Sequence, residues 1–170
     1  TAFIIMTQVS PEIDKLDCHT KSGVLTVVRS GDSFTMNFPQ AEYKPIEVTQ
    51  DMADAIGVMP KEAYLGRDLM MVLASENEVI NLNPDMDKVE RLPGLLQTVT
   101  AESPRYDCVT RTFAPKVKVT EDPVCGSTHC MVAPYWASRL GKDSIIAYQA
   151  SKRGGILLCN ILKNGRIDIG

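Results

Sequence analysis

A chain of 170 residues is long enough for one domain with a real core, or for two small ones sharing an interface. With 44% hydrophobic and 23% charged residues it has the composition of an ordinary globular protein, which excludes the disordered and fibrous classes. The 18 Lys+Arg stand against 21 Asp+Glu with no basic cluster, and no apolar run is long enough to span a bilayer, so neither nucleic acid nor a membrane is an expected partner.

Residues 1–6 form an apolar, β-rich run with no preceding turn or basic leader, so the chain reads as beginning inside a strand. Runs at 17–20, 24–29 and 33–38, separated by Lys21-Ser22-Gly23 and Gly31-Asp32, predict a β-meander with one buried face. Pro45 and mixed polarity make 41–48 a surface connection. Thr49 then caps a short helix through Met52, Ala55 and Ile56, which ends at Gly57. Strands follow at 62–64 and 69–74 around Gly66-Arg67-Asp68, and then two helices at 76–82 and 85–92, the first capped by Ser75. A strand pair is expected at 95–100 and 106–113, and a Lys/Val alternation covers 116–119.

The chain is organised around Glu121-Asp-Pro-Val-Cys-Gly-Ser-Thr-His-Cys130, a polar loop that empties into the most apolar helical pattern, 131–140. Pro134 falls inside that helix and should bend it, and Gly141 closes it. Strands at 145–150, 156–162 and 166–169 complete the chain, with Asn164-Gly165 as the last hairpin turn. The pattern is α+β: short strands, mostly antiparallel, curled round one enclosed helix.

The start of such a helix has unpaired peptide N–H groups and partial positive charge, so a carboxylate ligand can bind there without any lysine or arginine. Asp, Ser and Thr in the same place can equally be plain capping residues. A proton-moving site also needs a base, for which Asp122 is one candidate and the Cys125 thiol, favoured as thiolate at a helix start, another. Ser127 and His129 lack a nucleophile elbow, and His129 reads as a satisfied, partly buried histidine. Cys125, His129 and Cys130 have no second Cys/His cluster to complete a metal site, so no metal is expected. The five cysteines are odd in number and scattered, which argues for free thiols and a cytoplasmic location. Arg153-Gly154-Gly155 is either an anion-binding turn or a loop.

Taken together, Arg111-Thr-Phe-Ala-Pro115, the organising loop, Pro134-Tyr-Trp136, Leu140-Gly-Lys142 and Gln149-Ala-Ser-Lys-Arg-Gly-Gly155 resemble the phenazine-biosynthesis PhzF-like isomerase family. Thr20-Lys-Ser-Gly23, Met36-Asn-Phe-Pro39 and Arg67-Asp-Leu69 extend the resemblance over residues 17–170. It implies a diaminopimelate-epimerase-like fold of two pseudo-symmetric halves, each a curved sheet around a central helix, with the site between them. It also implies an isomerase that moves a proton on a small carboxylate-bearing substrate without a cofactor, and it is compatible with a homodimer. By the same resemblance Asp122 is catalytic, and Asp122, Gly126, Ser127 and Thr128 bind substrate.

The family's glutamate acid/base would directly precede Thr1, and a first central helix would fall where only 8–16 stand. The chain therefore reads as an incomplete form of a longer protein: 1–38 a remnant of the first half, 39–160 the second half, and 161–170 the start of return strands. Lys118 and Cys125 stand where the family usually has glycine and threonine. Two alternatives remain: a thiol-dependent racemase or epimerase using Cys125, and a truncated, non-catalytic chain that binds a metabolite or partner.

Overall fold

A computed structural model of the chain describes residues 2–20 and 23–170; Thr1 and the Lys21-Ser22 part of the first expected turn lie outside the described residues. The strands are β1 (Lys15–Thr20), β2 (Gly23–Ser30), β3 (Ser33–Pro39), β4 (Lys44–Ile46), β5 (Glu62–Leu65) and β6 (Leu69–Val72). After them come β7 (Gln97–Glu102), β8 (Cys108–Ala114), β9 (Val119–Asp122), β10 (Ser144–Gln149), β11 (Gly155–Ile161) and β12 (Arg166–Ile169). The helices are α1 (Ala2–Ile4, continued by a π-helical turn, Ile5–Val9), α2 (Gln50–Ile56), α3 (Glu76–Asn81), α4 (Met86–Arg91) and α5 (Gly126–Leu140).

All the strands join one sheet in the order β1-β2-β3-β12-β11-β10-β8-β7-β6-β5-β4, with β9 paired to β8. The pairs β6·β7 and β8·β10 are parallel and the others antiparallel, which gives the mixed α+β architecture expected from the sequence. The last strand, β12, is bonded on one side to β11 and on the other to β3, so the meander continues the same sheet.

The sheet curls round α5. Met70 and Val72 from β6, Cys108 from β8, Ile145 and Ala147 from β10, and Leu157 and Cys159 from β11 pack with Met131, Tyr135 and Trp136 of the helix. Alternate residues point the other way: Leu69, Met71, Val99, Val109 and Phe113 are covered by Met52 and Ile56 of α2, Val79 of α3 and Val89 of α4. A strand buried on both faces has no polar side, which is why β6 reads as an unbroken apolar run.

The short helices follow their capping residues. Thr49 Oγ1 accepts the Met52 N–H, Gly57 closes α2 at φ 84°, Ser75 caps α3 and Asp85 caps α4. At its two ends α5 behaves differently. Gly141 closes it in the left-handed conformation, but it begins at Gly126, inside the polar loop and ahead of the apolar pattern that announces it.

Four readings are corrected. Residues 2–9 are helical, with local bonds such as Ser10 N–H to Ile5 C=O (2.7 Å) satisfying the backbone in place of a sheet ladder, and Met6 alone of them is buried. The meander pairs as expected, yet Val27 is its one buried hydrophobic residue, because α5 lies over β10, β11 and β12 and not over β1 or β2. The 41–48 connection holds β4, an edge strand in which Pro45 is tolerated because one side needs no ladder bond. The 116–119 alternation is a 3-10 turn (Pro115–Val117) followed by Lys118 in the left-handed region, φ 62°.

Candidate active site at the start of the buried helix

The loop before α5 is held by a residue far away in sequence. Gln149, fully buried at the end of β10, accepts the Cys125 N–H on Oε1 (2.8 Å) and donates from Nε2 to the Asp122 C=O (2.6 Å). Both arms of the amide are thereby used, and the loop is clamped at its first and fourth residues. Ser151 adds a second tie, donating its hydroxyl to the Pro123 C=O (2.6 Å) while accepting the Gly154 N–H (3.1 Å). One N–H of the Arg153-Gly154-Gly155 turn is thereby taken by Ser151. Gly155 is required by the same contact, since a Cβ there would lie 2.3 Å from Val124 Cγ2.

Below the helix start the sheet is polar. Thr98 and Thr112 share a hydrogen bond (3.0 Å), Thr112 reaches Thr128 Oγ1 (3.3 Å), and Thr100 accepts the Trp136 indole N–H (2.9 Å). His129 is completely enclosed rather than partly buried. Its Nδ1 faces the Cys125 carbonyl (2.7 Å), which can only accept, so Nδ1 carries the proton and Nε2 receives the Thr110 hydroxyl (3.4 Å). Burial pushes the imidazole down to about 4, so it is a neutral structural group at neutral pH.

The five residues singled out in the loop have different surroundings, although Cys125 Sγ lies 3.4 Å from Ser127 Oγ. Asp122 is half-buried at the end of β9; Oδ1 accepts the Val124 N–H (3.1 Å), and Oδ2 has no partner among the described residues. Cys125 is the N-cap, but its side chain caps nothing and packs with Leu96 and Ala114. Gly126 opens the helix opposite Phe38, whose ring would lie 4.0 Å from a Cβ at that position. Ser127 points into a cavity. Thr128 does not: it is fully buried and donates to the Cys125 C=O (3.1 Å), so its side chain is unavailable to a ligand and only its backbone N–H faces the helix mouth. The Thr128 side chain thus belongs to the threonine network, which leaves its backbone as the part that can serve a ligand.

The cavity holds about 390 Å³. Phe38, Pro39, Ala41 and Met131 give it an apolar wall, and Arg67, Asp68 and Ser127 bring polar atoms to one end. Neither Asp122 nor Cys125 lines it, whereas Cys130 does, as a thiol pushed up to about 11 by burial. Arg67 donates from Nη2 to Ser127 Oγ (2.9 Å) and from Nε to the buried carboxylate of Asp68 (3.1 Å). Arg67 and Asp68 are thus neighbours of the loop that reasoning from the loop alone missed, although their place in a matched motif was a signal. Gln149 was missed in the same way. Glu121, by contrast, is used outside the site, in a paired contact with Arg111 (2.7 and 3.1 Å).

The family model for phenazine biosynthesis-like proteins, PhzC-PhzF, matches residues 1–168. An uncharacterized isomerase of Pseudomonas aeruginosa is 38% identical over 161 residues, covering 95% of this chain and 62% of its own length. One from Halalkalibacterium halodurans is 39% identical over 145 residues, covering 82% of this chain and 54% of its own. The chain therefore spans little more than half the length of these curated relatives. Among solved structures, a PhzF-family phenazine biosynthesis protein from Enterococcus faecalis superposes with a TM-score of 0.93 at 38% identity, over 99% of this chain and 65% of its own.

Proposed function

The chain belongs to the phenazine biosynthesis-like PhzC-PhzF family, and from that premise we propose that it carries the substrate-holding part of an isomerase. The proposed reaction moves a proton between carbons of a small carboxylate-bearing metabolite. Atoms balance without a co-reactant: a base takes a proton from one carbon, the electron pair shifts along the substrate, and a proton is returned elsewhere. Gly126, Ser127 and the Thr128 N–H would hold the substrate's negative charge in the field of the α5 N-terminus, so that charge developing on deprotonation is stabilised without a cofactor. Asp122, with Oδ2 unengaged, is the carboxylate proposed to exchange the proton.

One observation carries this reading over plain helix capping. The N-cap residue of α5 makes no side-chain cap bond, Asp122 bonds the loop rather than the helix, and Ser127 Oγ is engaged by Arg67. Asp122 and Ser127 are therefore not spent on the helix end.

The test is solvent deuterium incorporation into a panel of small carboxylates, followed by NMR in D2O with the full-length protein. Exchange catalysed by the wild type should fall by about 10²–10⁴-fold in Asp122→Asn, the range for removing a general acid–base group, with circular dichroism unchanged. Full exchange activity in the Asp122→Asn protein would remove Asp122 from the chemistry.

A further inference from the structure

We infer that Arg67 is the residue that recognises the substrate carboxylate, held in place for that task by Asp68. The inference rests on the reading of the α5 start as a substrate-holding site and names the cation that site uses. Nothing in the loop's own sequence supplies one. Sixty residues before Ser127, in the turn between β5 and β6, Arg67 closes the polar end of the cavity.

The geometry anchors the guanidinium through Nε and Nη2 and leaves Nη1 free among the described residues. Nε donates to Asp68 Oδ1 and Oδ2 (3.1 and 3.2 Å), and Nη2 donates to Asp68 and to Ser127 Oγ. Nη1 has no acceptor among the described residues. Asp68 is itself 4% exposed and is fixed from behind by the Leu96 N–H on Oδ1 (3.1 Å). An arginine anchored through Nε and Nη2 loses little further freedom when Nη1 binds, and an Nη1 N–H can make a charge-assisted hydrogen bond to one carboxylate oxygen.

Charge selects the ligand class. Within the cavity, which Asp122 does not line, Asp68 neutralises Arg67, so the helix end's positive charge of about one half is the surplus there. A single carboxylate is answered by that surplus and the free Nη1 group, whereas a doubly charged phosphate would be left short. The wall of Phe38, Pro39, Ala41 and Met131 then asks for an apolar body attached to that one charge. The ligand class is a compact monocarboxylate with an apolar frame.

Benzoate and its neutral isostere benzamide probe this directly, by NMR titration of the full chain. In the wild type, benzoate should bind more tightly than benzamide and should shift the Arg67 side-chain ¹⁵N resonances, while benzamide leaves them in place. Arg67→Met should weaken benzoate at least about tenfold, the loss of one charge-assisted hydrogen bond, without changing benzamide. Arg67→Lys should fall between, because it keeps the charge and loses the fork. An Arg67→Met protein that still prefers benzoate overturns the inference and leaves the helix-start reading standing; so does a wild type in which benzoate binds preferentially but the Arg67 resonances do not move. The resonance measurement decides even if Arg67→Met does not fold. A wild type with no preference for benzoate overturns both.

Discussion

The Cys130 carbonyl accepts the Ala41 N–H at 2.9 Å, and it can do so because Pro134, four residues on, has no N–H to claim it. A proline in the middle of a 15-residue helix is thereby converted from a defect into an attachment point. The segment it attaches, Phe38 to Ala41, is the apolar wall of the cavity, and Gln40 secures the same segment to the Gly165 C=O (2.9 Å) on the other side. Replacing Pro134 by Ala restores a competing donor. Amide hydrogen exchange at Ala41 should speed up at least about tenfold, equivalent to about 1.4 kcal/mol of lost protection, while α5 itself becomes more protected. Unchanged exchange at Ala41 would show that the carbonyl serves both donors.

Gln149 is the residue on which the loop geometry depends. In Gln149→Leu the Cys125 N–H and the Asp122 C=O lose their partners, and leaving such buried groups unsatisfied costs about 1–3 kcal/mol each. Urea denaturation should show a loss of about 2–4 kcal/mol, and Gln149→Glu, which can accept but not donate, should recover part of it. A Gln149→Leu protein as stable as the wild type would mean that water replaces the clamp.

His129 makes stability depend on pH in a definite direction. Its folded-state pKa, about 4, lies below the ordinary value of 6.5, so between those limits the unfolded chain binds the extra proton and stability rises with pH. The contribution is complete above about pH 6.5 and is lost on acidification towards pH 4, by up to about 3 kcal/mol. His129→Asn keeps a donor for the Cys125 carbonyl and cannot titrate. Comparing wild type and variant by urea denaturation at pH 7 and pH 4.5 should show a larger loss on acidification in the wild type than in the variant, and equal losses would remove His129 as the cause.

Lys118 pays for its position in the left-handed region, where a Cβ crowds the following carbonyl and costs about 1–2 kcal/mol. Lys118→Gly relieves that strain but adds flexibility to the unfolded chain, so a net gain of about 0.5–1 kcal/mol is expected. A rise in melting temperature would confirm it, and a fall would mean that the lysine makes a compensating contact.

Much of this was legible because it is written locally. Thr49, Ser75 and Gly57 announce helix ends through bonds they make with their own neighbours, and Asn164-Gly165 announces a hairpin because the turn needs those φ values. The left-handed angle at Lys118, φ 62°, is likewise one that glycine adopts at no steric cost. The N-terminal run misled for the opposite reason: Ile4 and Ile5 favour a strand, but a strand requires a partner, and partner availability is not a local property.

The sequence alone determined which loop carries the polar groups and that it opens a buried helix, since both follow from polarity, helix periodicity and ordered motifs within a continuous stretch. Only the tertiary structure decided what that loop can offer. It turned Thr128 inward to the threonine network, packed Cys125 against Leu96 and Ala114, and set Arg67 beside Ser127 and Gln149 behind Cys125. The last two pairings join residues 60 and 24 positions apart, and they exist because the sheet brings the β5–β6 turn and the end of β10 to the same helix end. A loop's own residues carry its chemistry, but the hydrogen-bond partners that aim them are supplied by the fold.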